Sequence, residues 1–283
     1  MIPGERNRFL FDRDCAAELF KFGRWIFVST LITFLALQID RLFIGTELSA
    51  EENGVYTVAM GITNIPQYLL GVLTGTVIFP LLAEYRRERP EVLAEKFRSQ
   101  RVTLLIGALV MGLGVGLLSR PFFMLYKTEF HDAGWIAGLF MVPTWFFLLT
   151  VTSDRALLAL GRPKALALSN LAAFFGKLAG GYWGYKTGGV PGFLFGLSLG
   201  TVLCHVVVQV ALRIEGLDIL RQDLEYTGYA LGLGLLGYGL QWVVGRQLEG
   251  PWLFLTWSSI GLALVLPLGL ILFKRLKRVG ITG

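Results

Sequence analysis

The chain has 283 residues, of which 54% are hydrophobic and only 16% are charged. Its mean hydropathy is +0.61, whereas soluble domains typically carry about 25% charged residues. Several apolar runs reach the roughly 20 residues that a helix needs to cross a bilayer, and the alternating segments of an outer-membrane barrel are absent. These features exclude an ordinary soluble domain and predict an all-α, polytopic membrane helix bundle.

Eight spanning helices are predicted along the apolar runs. Their expected bounds are 23–46, 55–82, 102–118, 134–160, 165–184, 190–212, 226–245 and 252–273. With the amino terminus inside, 19 of the 26 Lys and Arg residues fall on the inner side, four on the outer side and three within helices. Because basic residues gather in cytoplasmic loops, both termini are expected in the cytoplasm. The net charge of +6 therefore reflects topology, and no nucleic-acid partner is predicted.

The chain divides into three predicted parts. Residues 1–22 end in an amphipathic stretch that is typical of an interfacial helix on the inner leaflet. Residues 23–212 form a six-helix transmembrane lobe, and residues 213–283 add a C-terminal helix pair. The connector 84–101 carries mixed charges and is expected to be a solvated cytoplasmic loop with a short helix after Pro90.

Glycines recur four residues apart within several of the predicted spans. The sets are Gly112 and Gly116, Gly176 and Gly180, Gly192, Gly196 and Gly200, and Gly228 and Gly232. In lipid, small residues at this spacing allow two helix backbones to approach closely. The pattern therefore predicts tight helix packing at each set.

Charges inside the apolar runs are the first candidates for function, because each costs a few kcal/mol or more in lipid unless it is paired or hydrated. Asp40 and Arg41 lie in the outer third of the first predicted span, and Lys177 lies in the middle of the fifth. A second pair, Asp154 and Arg155, comes near the inner end of the fourth span. Arg155 can reach the inner head groups from there, so an anchoring role is favoured and the two pairs are not expected to meet.

Amide side chains accompany these charges on several spans, and together they predict a wet, net-cationic cavity suited to an anionic head group. The candidate substrate-binding residues are Arg41, Lys177, Gln38, Asn64, Gln67 and Asn170, and the candidate ion-coupling residues are Asp40 and His205. Two alternatives remain open. In the first, Lys177 is a structural partner of Asp40 or of another internal acid. In the second, His205 is a hydrogen-bonded, buried histidine.

No sequence pattern indicates an enzyme. There is no nucleophile motif, no phosphate-binding loop and no cluster of Cys and His with the spacing of metal ligands. The two cysteines, Cys15 and Cys204, predict no disulfide framework. We therefore predict no catalytic residue, no cofactor and no bound metal.

Several motifs resemble those of the Wzx-type polysaccharide flippases, which belong to the multidrug/oligosaccharidyl-lipid/polysaccharide exporter superfamily. The motifs are the Asp-Arg pair before Gly45, the Gly-Val-Tyr of Gly54 to Tyr56, the Phe79-Pro80 pair and Gly161-Arg162-Pro163. The resemblance covers about residues 20 to 215 and is weaker beyond them. Proteins of this family carry two six-helix lobes, and the match is to the second lobe and an extra C-terminal helix pair. The resemblance therefore implies a C-terminal half without the first lobe.

The resemblance implies a transporter in polysaccharide biosynthesis at the bacterial inner membrane. Alternating access would carry an undecaprenyl-pyrophosphate-linked oligosaccharide to the outer leaflet. The implied partners are the lipid bilayer and either a first lobe supplied elsewhere or other polysaccharide assembly proteins. Two alternatives stay open: a small-molecule or multidrug antiporter of the same superfamily, which acidic cavity residues would favour, and a non-transporting scaffold of a polysaccharide assembly complex.

Overall fold

The computed structural model describes residues 38–279 without interruption, together with Arg13, Phe20, Thr30, Leu31, Phe34 and Leu35. Within these residues the regular elements are helices, and none is a strand. The all-α class predicted from the sequence is therefore confirmed. Of the predicted interfacial segment, 1–22, the structure describes only Arg13 and Phe20. Much of the chain between 23 and 37 also lies outside the described residues.

The described helices are numbered here in chain order. They are α1 (38–47), α2 (Ala50–Leu73), α3 (Phe79–Glu88), α4 (Leu93–Met124), α5 (His131–Ala159), α6 (Pro163–Ile214), α7 (Leu220–Gly245) and α8 (Gly250–Val279). A π-helical turn, Thr74–Ile78, joins α2 to α3 without a break. Short 3-10 turns, Pro90–Val92 and Thr128–Phe130, precede α4 and α5.

Helix α6 is a hairpin with two arms, 163–187 and 190–214. The chain leaves helical geometry between them, and Gly189 has a φ of 58°, a conformation that glycine adopts without strain. Away from this bend the backbones of the two arms are in contact. A Cβ added to Gly180 would lie 2.2 Å from the carbonyl oxygen of Gly196, so no side chain fits between them. The close approach predicted for the glycines of these two arms is therefore confirmed.

The remaining glycine pairs are packed less closely. Gly112 and Gly116 face the side chain of Met141 at ordinary contact distances of 3.7 and 3.8 Å for an added Cβ. A Cβ added to Gly228 or Gly232 would meet nothing within 4 Å. The prediction of tight packing is wrong for this last pair within the described residues, because none of them packs against this face of α7.

Five helical segments of the described chain are long and apolar enough to cross a membrane. They are Ala50–Glu88, Pro90–Met124, Thr128–Ala159, Pro163–Ile214 and Gly250–Lys277. The fourth segment contains both arms of the α6 hairpin. The chain is therefore a multi-pass membrane protein, while the total of eight spans and the cytoplasmic position of both termini stay predictions.

Helix α5 is the centre of the bundle, and 72% of its most apolar window is buried, against 6% for α8. It packs against α2, α4 and α6. Side chains of α5 that point toward these neighbours are therefore shielded from lipid, and polar groups there have to find partners inside the protein.

Helix α4 begins at Leu93, whereas the predicted span begins at 102. Leu93, Phe97 and Arg101 follow one another at intervals of four residues on one face, and all three are buried. The helix expected after Pro90 is confirmed, but it continues directly into the span. The prediction of a solvated face holds for most charges of the connector, among them the exposed Glu95, Lys96 and Arg98. Arg101 is the exception and is buried, because α5 and α7 cover this face.

Candidate functional site

A small polar cavity lies among α1, α2, α5 and both arms of α6, and we call it the Asp40 cavity. Its volume is about 50 Å³, which accommodates a few water molecules but not a sugar ring. The polar residues that line it are Asp40, Asn64, Gln67, Thr144, Lys177 and Thr201. Apolar side chains of the same helices close the remaining wall.

The charges of this cavity are balanced. Asp40 of α1 is only 4% exposed, and its Oδ1 atom has no hydrogen-bond partner among the described residues. Lys177, on the first arm of α6, faces the same cavity and attracts the carboxylate. Opposite charges brought together offset part of the free energy lost when each leaves water. Because the described lining holds one acid and one base, the expectation of a net-cationic cavity is not met here.

Helix α2 supplies the amides of the cavity. Asn64 and Gln67 are three residues apart, so they share one face of the helix, and both are partly buried. Gln67 Nε2 donates a hydrogen bond to Thr144 Oγ1 of α5 at 3.5 Å. The amides thus lie on the side of α2 that faces the core, where they can solvate the Asp40 carboxylate or a small ligand beside it.

A second cavity of about 30 Å³ adjoins the first, and we call it the Asn170 cavity. Its polar lining comes from Thr150, Asn170, Lys177, Thr201 and Cys204. Phe147, Lys177 and Thr201 belong to the walls of both cavities. Five of the eight residues selected from the sequence, namely Asp40, Asn64, Gln67, Asn170 and Lys177, therefore surround one connected polar region.

Arg41 and Gln38 are not among the described residues that line these cavities. Adjacent residues of a helix point about 100° apart, so Asp40 directed inward leaves Arg41 on the exposed face of α1. Gln38 is partly buried. Their predicted contact with substrate stays a prediction, and it requires a ligand on the outer face of α1.

His205 belongs to a third polar group, where α4 and α7 begin, which we call the Arg101 cluster. Its members are Arg101, Ser153, His205, Gln209, Gln222 and Asp223. Arg101 is fully buried and donates to Asp223 Oδ1, and its Nε donates to Ser153 Oγ at 2.9 Å. Asp223 Oδ2 lies 3.0 Å from His205 Nε2 and accepts from Gln209 Nε2 at 3.1 Å.

The cluster joins four helices through the ion pair of Arg101 and Asp223. Arg101 comes from α4, Ser153 from α5, His205 from the second arm of α6, and Asp223 from α7. A buried ion pair stays in place only when further hydrogen bonds satisfy its remaining polar atoms. Ser153 and the amide side chains provide these bonds, so the start of α7 is attached to the six-helix lobe by a polar contact in an apolar setting.

Arg101 and Asp223 escape the sequence prediction, because both lie outside the predicted spans. A signal for each is nevertheless present. Arg101 continues the buried stripe of Leu93 and Phe97, and Asp223 follows the buried Ile219 by four residues. A charge on an apolar stripe at helical spacing indicates burial, and burial of a charge in turn indicates a partner.

Asp154 and Arg155 take part in neither cavity as described. Asp154 lies ten residues beyond Thr144 on α5, which corresponds to about 15 Å along the helix axis. Its Oδ1 is 3.8 Å from Arg155 Nε, and the Arg155 side chain is 40% exposed. The two Asp-Arg pairs therefore lie at different levels of the bundle and do not meet, while their depths in the membrane stay a prediction.

The arrangement suits binding of small ions or protons. Within the described residues, no three His, Cys, Asp or Glu side chains lie close enough together to hold a metal ion. A buried carboxylate beside water-sized cavities can bind a proton or a small cation. Ionisable residues inside membrane helices commonly mark ion pathways and proton relays.

Comparison of the sequence with known proteins finds relatives in polysaccharide biosynthesis. Residues 4–123 match the model of the family described as "Polysaccharide biosynthesis protein". Teichuronic acid biosynthesis protein TuaB of Bacillus subtilis (strain 168) is 28% identical over 131 residues, which cover 46% of this chain and 26% of TuaB. Amylovoran biosynthesis protein AmsL of Erwinia amylovora is 27% identical over 128 residues, which cover 45% of this chain and 33% of AmsL.

The fold matches a solved structure of the Lipid II flippase MurJ in its inward closed conformation. The TM-score is 0.70 at 13% sequence identity, so the match concerns the fold alone. It covers 95% of this chain and 57% of MurJ. In all three comparisons the match spans only part of the other protein. The family match and the two relatives confirm that this multi-pass membrane chain resembles polysaccharide biosynthesis proteins, and its fold resembles that of a flippase.

Proposed function

We propose that this chain takes part in moving a lipid-linked oligosaccharide across the bacterial inner membrane during polysaccharide biosynthesis. The observation that carries the proposal is the balanced pair of Asp40 and Lys177 in a water-sized cavity inside an apolar bundle. Apolar residues of similar volume are often as stabilising as a buried ion pair or more so. The polar atoms of the Arg101–Asp223 pair are satisfied, whereas Asp40 lines a cavity and keeps an Oδ1 without a hydrogen-bond partner among the described residues. This difference favours a functional role for Asp40 and Lys177 over a structural one. The relatives named for teichuronic acid and amylovoran biosynthesis support a polysaccharide substrate.

In the proposed mechanism, Lys177 is the cation that meets the pyrophosphate of an undecaprenyl-pyrophosphate-linked oligosaccharide. Asp40 holds the ammonium group while substrate is absent, and Asn64, Gln67 and Asn170 provide hydrogen bonds around it. A cavity of about 50 Å³ is too small for the head group. Substrate therefore has to bind after the helices around Lys177 separate, as alternating access requires.

The proposed architecture has the three parts expected from the sequence: 1–22, 23–212 and 213–283. Arg41, on the exposed face of α1, would contact the head group together with Gln38 from the side that faces a partner. That partner is a first lobe or another polysaccharide assembly protein. The fold match to MurJ, which covers 57% of that chain, supports a flippase-like helix arrangement.

The test is surface polysaccharide in cells that depend on this protein. We expect Lys177→Met and Asp40→Asn to lower surface polysaccharide at least tenfold at unchanged protein level. Each removes one partner of the charge pair from the cavity. Lys164→Met is the matched control, because Lys164 is an exposed lysine near the start of the same arm. It should leave polysaccharide at the level of the unmodified protein.

Normal polysaccharide in both cavity variants would contradict the proposed mechanism. It would instead support the scaffold alternative, in which the protein contributes contacts but no transport. The antiporter alternative predicts a different result: the cavity variants would lose resistance to small cationic compounds, while surface polysaccharide would stay normal. Measurement of both properties in the same strains separates the three functions.

A further inference from the structure

An apolar groove lies between α4, α5 and α7, and we call it the Tyr238 groove. Its volume is about 200 Å³. On α7 its wall extends from Thr227 to Tyr238, which corresponds to about 16 Å along the helix axis. This length is roughly half of the 30 Å hydrocarbon core of a bilayer. The groove is therefore long and narrow, and it runs along the helices as a lipid chain does.

Four glycines create the space in the groove. They are Gly112, Gly116, Gly138 and Gly234. A Cβ added to Gly234 would come no closer than 3.8 Å to its nearest neighbour, a methyl group of Leu113, so this part of the wall is open rather than packed. Because a void leaves the surrounding side chains without contacts on one side, an apolar occupant would stabilise the walls.

The polar groups at the two ends of the groove are already paired. Trp145 Nε1 donates a hydrogen bond to Thr227 Oγ1 at 3.0 Å. The Tyr238 hydroxyl donates to the carbonyl oxygen of Gly116 at 2.9 Å. A ligand in the groove therefore meets mainly apolar surface, which suits a hydrocarbon chain and not a sugar, because burial of unpaired polar groups is costly.

The groove opens on an exposed, apolar face of α7. Leu231 and Leu235 form its rim and are 59% and 73% exposed. Met141 and Trp145 also line the groove, but each is only 8% exposed. Because the exposed apolar surface of a multi-pass membrane protein meets lipid, an occupant enters from the bilayer rather than from water. It reaches the two buried residues only by filling the groove.

A cation lies beyond the Tyr238 end of the groove. Arg120 is partly exposed, and it follows Gly116 by one turn on the same face of α4. Its Cζ is 6.0 Å from the centroid of the Tyr238 ring and 5.7 Å from that of the Trp257 ring of α8. The ring faces hold the cation in place, but no carboxylate of the described residues forms an ion pair with it. The N–H groups at its edge are therefore available to an anionic ligand.

We propose that the Tyr238 groove holds one acyl chain of a bilayer glycerophospholipid and that Arg120 binds its phosphate. A guanidinium group suits phosphate because its fork of N–H donors matches two phosphate oxygens. The order of the parts also agrees, since the Tyr238 ring lies between the groove and the cation, as glycerol lies between an acyl chain and the phosphate. The site goes beyond the proposed function and does not depend on it, because the bound lipid belongs to the bilayer and is not transported.

Such a lipid would attach α7 to the six-helix lobe at a second level. The Arg101 cluster attaches the beginning of α7, and Arg120 lies about 28 Å further along α4. The walls of the groove come from α4, α5 and α7, so one acyl chain contacts all three helices. The polar contact at one end of α7 and the lipid toward the other would then hold the helix together.

The position of the acyl chain can be tested by photo-cross-linking. The full chain would be placed in lipid nanodiscs with a phosphatidylglycerol that carries a diazirine in one acyl chain, and the labelled residues would be mapped by mass spectrometry. We expect label on the buried Met141 and Trp145. Gly234→Leu fills the groove and should remove this label. Gly228→Leu is the matched control and should keep it, because Gly228 lies on the same helix outside the groove, with no neighbour within 4 Å of an added Cβ.

The phosphate contact can be tested by native mass spectrometry of the full chain in detergent micelles titrated with phosphatidylglycerol. Arg120→Gln should weaken the tightest binding event about tenfold, the loss expected for a hydrogen bond to a charged group, and Arg120→Lys should retain part of the affinity. Arg246→Gln is the matched control and should bind like the unmodified protein. Arg246 also stacks on an aromatic ring, with its Cζ 3.7 Å from the centroid of Trp242, but it lies about 12 Å beyond Tyr238 along α7.

Absence of label on Met141 and Trp145, or label that survives Gly234→Leu, would overturn the acyl-chain site. Equal affinity of Arg120→Gln and Arg246→Gln would overturn the phosphate contact, and so would equal binding of phosphatidylglycerol and diacylglycerol by the unmodified protein. Displacement of phosphatidylglycerol by an equimolar polyprenyl phosphate would show that the groove takes a carrier lipid, which overturns the choice of a bilayer lipid. The comparisons among lipids use the unmodified chain, so they do not depend on the folding of any variant.

Discussion

Substitution of Gly180 by alanine measures how much the α6 hairpin depends on backbone contact. An added Cβ would lie 2.2 Å from the carbonyl oxygen of Gly196, whereas real Cβ atoms essentially never come within 3.0 Å of such an atom. The carbonyl belongs to the backbone of the facing arm and cannot rotate away. The arms therefore have to separate by at least 0.8 Å, the difference between these two distances.

The control is Gly228→Ala, because Gly228 also lies within a helix and has a partner glycine four residues away. Its added Cβ would meet nothing within 4 Å. Replacement of glycine by alanine stabilises a helix by about 1 kcal/mol. This contribution is the same in both variants, so it cancels in the comparison. What remains is the overpacking between the arms, which costs roughly 1–3 kcal/mol in a well-packed core.

The assay is reversible unfolding in mixed micelles, followed by tryptophan fluorescence as the denaturing detergent is increased. We expect the free energy of unfolding of Gly180→Ala to lie about 1–3 kcal/mol below that of Gly228→Ala. Equal values for the two variants would refute the reasoning. They would mean that the arms of α6 separate without loss of packing.

Two further predictions concern the same unfolding measurement. Arg101→Met leaves the buried Asp223 carboxylate without its guanidinium partner, so the free energy of unfolding should fall by about 3–5 kcal/mol. Adding Asp223→Leu should recover part of that loss, and a double variant no more stable than the single one would contradict this. Ser49→Ala breaks the capping box with Glu52 at the start of α2 and should lower the free energy of unfolding by about 1 kcal/mol. Ser49→Asp retains a hydrogen-bond acceptor, so its free energy of unfolding should stay near that of the unmodified protein. An equal loss of stability in Ser49→Ala and Ser49→Asp would show that the capping box does not stabilise α2.

Several features of the site are predictable from the sequence because they depend on burial alone. A charge within a long apolar run has to be paired or hydrated, which selects Asp40 and Lys177 without any knowledge of their neighbours. The structure then brings them to one cavity with Asn64, Gln67 and Asn170. Only the structure shows that Asp40 and Lys177 line the same cavity, where their opposite charges balance.

Other features depend on which helix covers which face. Arg101 and Asp223 are far apart in the sequence and lie in segments with mixed charges, so neither is unusual locally. They become a buried pair because α7 packs over the start of α4. The glycine spacing is equally ambiguous, since Gly180 touches a facing backbone while Gly228 faces open space.

The sequence by itself determined the all-α class, the multi-pass membrane character and the resemblance to polysaccharide flippases. Hydropathy, charge content and local motifs express these properties within single segments, so no contact between segments is needed to recognise them. Tertiary structure alone decided the balanced Asp40 cavity and the Arg101 cluster, in which His205 lies against Asp223. Each of these is a relation among three or more helices, and the partner of a buried charge is set by the packing of helices rather than by distance along the chain.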